Sequence, residues 1–196
     1  MGNRIISISR QFGSGGHEIA VKTAGRLGLK VYERELVRLA CEYGELPETS
    51  VTDSDEKATN PYLFQTVHEG NYHVLRGKST SEVLFALQSH EIRRIAKREE
   101  CVFVGRCADY LLQNKADCLK VFIHADMAFR AKRIVEVYGE REQSPEQRLR
   151  DKDKRRAAYH RFYTDMKWGD ARNYHIALDS GALGIDKCAD MIASLY

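Results

Sequence analysis

Gly13, Gly15 and Gly16 fall within four residues, directly before His17 and Glu18 and shortly after the run Ile5-Ile6-Ser7-Ile8-Ser9-Arg10. Glycines this dense let consecutive backbone N–H groups point to one side, and a helix that starts there adds partial positive charge. The chemistry open to such a segment is holding an anion, above all a phosphate. Set against the spacing G-x-x-x-x-G-K-[ST], the first glycine falls at Arg10, the second at Gly15, the lysine at Gly16 and the hydroxyl residue at His17. Only Gly15 matches. Gly13, Ser14, Gly15, Gly16 and His17 therefore read as a phosphate- or nucleotide-binding loop without its usual lysine and magnesium-binding hydroxyl. A plain strand-to-helix turn is the alternative, and it needs fewer glycines. The dinucleotide spacing G-x-G-x-x-G fails, because Glu18 stands where its last glycine belongs.

A phosphate loop that lacks its lysine needs a cation from elsewhere. Arg10 lies in the loop and offers a bidentate guanidinium; its other reading is a solvated arginine or an ion pair with Glu18. Arg106 follows the apolar run Cys101–Val104, at the end of a strand where ligands of parallel sheets bind. Its other reading is a salt bridge that anchors the next helix. Arg148, Arg150, Lys152, Lys154, Arg155, Arg156 and Arg161 crowd one segment, interrupted by Asp151 and Asp153. Most of these suit a solvated helix with ion pairs at i,i+3 and i,i+4, Asp153–Arg156 among them. Gln88, His90 and Arg93 could read a base edge or a phosphate, although a solvated helix face is the simpler account of their spacing. Trp168 reads as a burial anchor for its loop.

The elements that must position these groups alternate. Strands are expected at Ile5–Ser9, Lys30–Tyr32, Cys101–Val104, Leu119–Ile123 and Tyr174–Leu178. Helices are expected at Gly15–Leu27, Glu33–Tyr43, 61–77, Ser79–Lys97, Ala108–Leu112, Met127–Tyr138, from Ser144-Pro145 to about Thr164, and Ile185–Leu195. Ser79 and Glu82 have capping-box spacing. Such alternation implies right-handed crossovers and a parallel sheet covered on both faces, with ligands beyond the strand ends. The fold class expected is α/β, a three-layer parallel sheet of about five strands in one domain over 1–196. The polar stretch from Leu46 to Asn60 reads as a loop or the entry to a small insertion.

Composition excludes several classes. The 31 Lys+Arg against 28 Asp+Glu leave a formal net charge of +3, too mild to argue for nucleic acid. No apolar run reaches the roughly 20 residues of a membrane span. The first strand begins almost at once, so no signal peptide is expected. Five scattered cysteines without C-x-x-C suit a reduced, cytoplasmic protein, and the seven histidines lack metal-ligand spacing, so no metal site is expected. Nothing in the pattern sets an oligomeric state.

Several blocks together resemble the cytidylate kinase-like family, a divergent branch of the P-loop nucleoside monophosphate kinases. They are Ile6 to Gly16, Val104-Gly105-Arg106-Cys107-Ala108-Asp109-Tyr110, Asp151 to Tyr159, Trp168-Gly169-Asp170 and Tyr174 to Ser180. The resemblance implies a P-loop NTPase-type core, a helical substrate subdomain (about 45–78) and a basic helical lid (about 139–164). It implies ATP and Mg²⁺ as cofactors and a nucleotide substrate as partner. In the family a Gly-Arg-Asp after the central strand helps hold the monophosphate. Here Gly105-Arg106 match, Cys107 replaces the aspartate, and Asp109 stands two residues on as its substitute. Val104 stands where an aspartate that assists magnesium is usual. The lid motif Asp-x-x-Arg matches at Asp153 and Arg156, with Arg150 nearby. The catalytic candidates are thus Arg10, Arg106 and Arg156; the lid candidates Arg150, Asp153 and Arg156; the substrate-binding candidates Gln88, Arg93 and Asp109. The expected function is ATP-dependent phosphorylation of a nucleoside monophosphate, CMP or dCMP first. The alternative is a nucleotide- or phosphate-binding module with little or no kinase activity.

The loop generates the first test. Phosphate or ATP titrated into the protein should shift the backbone amide resonances of Gly13 to His17. A loop that binds neither ligand is a structural turn only.

Overall fold

The computed structural model describes residues 4–44, 80–115 and 117–196. The expected insertion at 45–78, the helix at 61–77 and the Ser79 cap lie outside the described residues. In chain order the elements are β1 (Ile5–Arg10), α1 (Gly16–Leu27), β2 (Lys30–Tyr32), α2 (Glu35–Gly44), α3 (Thr80–Arg98), β3 (Cys101–Val104) and α4 (Ala108–Leu111). They continue with β4 (Cys118–His124), α5 (Met127–Tyr138), α6 (Pro145–Thr164), β5 (Ile176–Asp179), α7 (Ser180–Leu183) and α8 (Ile185–Ser194). The five strands form one parallel sheet in the order β2-β3-β1-β4-β5.

β1 lies at the centre and is buried along its whole length. Alternate residues serve opposite faces, as a strand requires. Ile6 and Ile8 join Ile19, Ala20 and Ala24 of α1 and Cys188, Ala189 and Ile192 of α8 in one core layer. Ile5 joins Leu36 of α2, Ile92 and Ile95 of α3 and Phe103 of β3 in the other. Apolar residues on both sides of each central strand are what a sheet with helices on both faces demands.

The chain runs from β1 outward to β2, returns to β3 and then crosses β1 to reach β4. Connections leaving the ends of β1 and β3 therefore diverge, and an open sheet of this kind has its crevice at that point. β1 is one residue longer than expected, so Arg10 is a strand residue paired with Ile123, not a loop residue. The last strand begins at Ile176 instead of Tyr174, and Tyr174 is a buried residue before it. The short helix α7 was not foreseen; the Asp179 carboxylate caps it by accepting from the N–H groups of Gly181 and Ala182. α6 is capped by Ser144, with Pro145 in its first turn, and it is not uniformly solvated: Arg148, Leu149, Tyr159, His160 and Thr164 are buried.

Ser180 ties this frame to the glycine loop. Its hydroxyl is fully buried and faces the Ser14 carbonyl at 2.6 Å and the His124 carbonyl at 3.1 Å. Ser180→Ala withdraws that donor from buried acceptors and should lower the unfolding free energy by about 1–3 kcal/mol. Denaturant unfolding measures this, and an unchanged midpoint would show that the tie contributes nothing.

Candidate functional site: an arginine-lined cleft beside the glycine loop

Gly15, at φ 75°, lies in the left-handed region and ends the turn before α1. At Gly16 the constraint is space: an added Cβ would stand 2.4 Å from Arg10 Cβ and 2.8 Å from its Cγ. The glycine run thus lets α1 start tight against the end of β1. Among the described residues, no protein acceptor meets the amides of Gly13, Gly15, Gly16 and His17. The Ser14 amide makes only a long contact to the Gln11 carbonyl at 3.4 Å. Open amides at a helix N-terminus suit the oxygens of a phosphate.

Beside this loop, at the ends of β1 and β3, an open cleft is lined by Ser9, Arg10, Arg106, Cys107, Arg156 and His160, among others. Arg10 is 7 % exposed, and its Nη2 donates to Glu33 Oε1 at 2.7 Å. Glu33 follows the end of β2 and also meets His17 Nδ1 through its other oxygen. Burial pushes the Glu33 carboxyl up, but the charges and hydrogen bonds of Arg10 and His17 outweigh it and hold the group below the ordinary glutamate range. Glu18, the partner considered for Arg10, instead pairs with Arg133 and Lys22.

Arg106 enters the cleft from an unusual turn. Gly105, Arg106 and Cys107 are successive left-handed residues, at φ 75°, 56° and 54°. For the two non-glycines this costs about 1–2 kcal/mol each. The turn is pinned where the Gly105 amide donates to the Ile8 carbonyl at 3.0 Å. Strain held by its surroundings is common where a side chain must be aimed.

Arg156 arrives from α6. Its Nη1 donates to the Arg10 carbonyl at 3.1 Å, and its guanidinium lies 5.9 Å from the centre of the Phe12 ring. Asp153, expected to pair with Arg156, makes two other contacts. Its Oδ1 accepts from the Phe12 amide at 2.8 Å and its Oδ2 from Arg130 Nη1 at 2.6 Å. Arg130 also donates to the carbonyls of Phe12 and Ala125. One carboxylate thereby joins α6, α5 and the loop.

The structure thus brings Arg10, Arg106 and Arg156 to one cleft, with Asp153 behind the loop. Arg150 is exposed on α6, and Arg93 is exposed on α3 and does not line the cleft. Gln88 is buried on α3. Asp109 is 3 % exposed; its Oδ2 meets His160 Nε2 at 3.0 Å behind the cleft wall. Three further groups escape the sequence reading: Glu33, Arg130 and His160. Glu33 directly follows a strand and His160 stands one turn beyond Arg156, and both signals are visible in the chain. Nothing local marks Arg130.

The loop amides fit the phosphates of ATP. The side chains do not fit a protein-held Mg²⁺. His17, at the hydroxyl position, is engaged with Glu33, the Ser14 hydroxyl faces the Gln11 carbonyl, and Val104 is apolar. Among the described residues, no group of three or more His, Cys, Asp or Glu side chains could hold a metal.

A parallel sheet with a glycine turn at its central strand and basic groups converging beyond the strand ends defines a P-loop kinase-like α/β protein. The chain belongs to the cytidylate kinase-like family, which it matches over residues 5–182. An uncharacterized protein from Eubacterium ventriosum has a similar structure, with a TM-score of 0.73 at 28% identity, covering 98% of each chain. Shikimate kinase from Acinetobacter baumannii, solved with shikimate, superposes with a TM-score of 0.55 at 13% identity, covering 98% of this chain and 92% of that one. A gluconokinase from Sinorhizobium meliloti gives 0.56 at 16% identity, covering 99% and 93%. These two likenesses show the fold alone. No curated protein matches the sequence. Among the described residues no helix is long and apolar enough to cross a membrane.

Because the folded Glu33 carboxyl is depressed, its stabilising contribution is complete above the ordinary glutamate range, about pH 4.3, and fades as pH falls through the lower folded value. Unfolding free energies of wild type and Glu33→Gln should therefore differ at neutral pH and converge in acid. A difference that is constant with pH would remove the ionised pair from the account.

Proposed function

We propose that this protein is a phosphotransferase that moves the γ-phosphoryl group of ATP to a nucleoside monophosphate, with CMP or dCMP the first acceptors to test. The observation that carries the reading is the convergence of Arg10, Arg106 and Arg156 on one cleft next to the open amides of the glycine loop. Phosphoryl transfer asks mainly for alignment and for positive charge around the moving group. In this reading the amides of Gly13, Gly15, Gly16 and His17 hold the donor phosphates. Arg106 holds the acceptor phosphate. Arg156 reaches from α6 across the Arg10 carbonyl and adds charge between the two. Arg10 and Arg156 together take the place of the absent loop lysine, and each can present a fork to phosphate oxygens.

Residues 139–164 act as the lid in this reading. α6 carries Arg156 and is fastened at its start, where Arg148 donates to the Gly139 carbonyl at 3.0 Å and Gln143 to Asp151 at 2.6 Å. The choice of cytosine rests on the family alone. The contacts of the cleft favour an anion, not a particular base.

The test is a panel of monophosphates with ATP and Mg²⁺, read as diphosphate formation beside nucleotide binding. CMP or dCMP should exceed AMP and GMP. Arg156→Ala should lower kcat on the order of a hundredfold with little change in ATP affinity, because its contact is made mainly in the transition state. Nucleotide binding with no diphosphate formed would make the protein a binding module. Equal turnover of purines and pyrimidines would remove the cytidylate preference.

A further inference from the structure

We propose that the buried pair His160–Asp109 is the positioning element of the arginine cleft, bolting α6 to the turn after β3 so that Arg106 and Arg156 face one phosphate at a fixed separation. The inference deepens the proposed function and rests on its reading of the cleft as a phosphate site.

Two placements carry it. Asp109 stands three residues after Arg106, and His160 stands four after Arg156, one helical turn on. The pair therefore lies one step behind both guanidinium groups and spans the two elements that deliver them. Its side chains are only 4% and 1% exposed, and Nε2 meets Oδ2 at 3.0 Å. A hydrogen bond to a buried carboxylate at that distance allows little sliding between its partners.

The ring is held on its other side as well. The Thr164 hydroxyl donates to the His160 carbonyl at 2.6 Å and accepts from the Met166 amide at 3.1 Å. Nδ1 faces this oxygen at 3.1 Å and the Met166 carbonyl at 3.4 Å. The ring is thus contacted at both nitrogens, Nδ1 on the Thr164 side and Nε2 on the Asp109 side. Tyr174 packs behind Asp109; burial, with the carboxylate beside it, pushes the Tyr174 hydroxyl well above its ordinary value. Asp109 is thus enclosed, while the ring of His160 forms part of the cleft wall.

The need for such a bolt follows from charge. Arg106 and Arg156 carry like charge and line one cleft, so holding the elements that carry them in place helps to keep both there. A carboxylate one step behind them lowers the cost of gathering the charges and leaves the cleft face positive. Neither His160 nor Asp109 is placed to touch a substrate phosphate through the bonded atoms, so both are positioning residues.

The probe is inorganic phosphate, titrated into the full chain by calorimetry and followed through the Nε–H resonances of Arg106 and Arg156. Wild type should bind with both resonances shifting. His160→Gln keeps a donor toward Asp109 and should stay close to wild type. His160→Leu removes the donor at similar volume and should weaken phosphate binding by roughly tenfold, the scale of a lost charge-assisted contact, while still melting cooperatively. If His160→Leu does not fold, the double variant Asp109→Asn/His160→Leu, which leaves no unpaired carboxylate at position 109, gives the same reading. Phosphate affinity equal to wild type in either folded variant would overturn the positioning role. Failure of wild type to bind phosphate at Arg106 and Arg156 would overturn the reading of the cleft itself, and this inference with it.

Discussion

The Asp153 carboxylate holds the site together. By accepting from the Phe12 amide and from Arg130 it joins the start of the glycine loop, α5 and the basic helix α6. Leu149 and Tyr159 pack α6 at its two ends, and this join fastens its middle. With it, the helix is fixed in register, Arg156 reaches the Arg10 carbonyl, and the loop keeps its amides facing outward. The positions of the loop and of the start of the cleft therefore lean on one half-buried, doubly bonded carboxylate. Such groups bring stability only when their partners are in place.

The same logic recurs around the cleft. Glu33 serves Arg10 and His17, Asp109 serves His160, and Glu18 serves Arg133. Each acid sits behind or beside a basic side chain, so negative charge is placed near the arginines without covering the face they present. This arrangement costs hydration where a pair is buried, as His160–Asp109 is. It suits a site that must meet several negative charges at once, because guanidinium groups gathered without such support would drive one another apart.

Much of the fold was legible in the chain. β2, β3 and α5 lie where hydrophobic patterning puts them, and the alternation of strands and helices implied the parallel sheet. Errors fall at ends, where pattern is weakest: Arg10 belongs to β1 because its backbone pairs with β4, which no local signal reveals. α7 depends on the Asp179 cap and is too short to show a period. The glycine loop and Arg106 stand out by type and position. Arg130 does not, and although His160 stands one turn beyond Arg156, its pairing with Asp109 is set only by packing, because the two are distant in sequence. A helix pattern read as a solvated face concealed the buried side of α6.

A lysine cannot return to position 16 by itself. The stem of Arg10 occupies the space that any side chain at Gly16 would need, and these atoms belong to a central strand that cannot step aside. Removing Arg10 first would leave the half-buried Glu33 carboxylate with His17. Positions 10, 16 and 33 therefore form a coupled set, in which each residue is acceptable only in the company of the others. An engineer who wants the lysine back has to redesign all three.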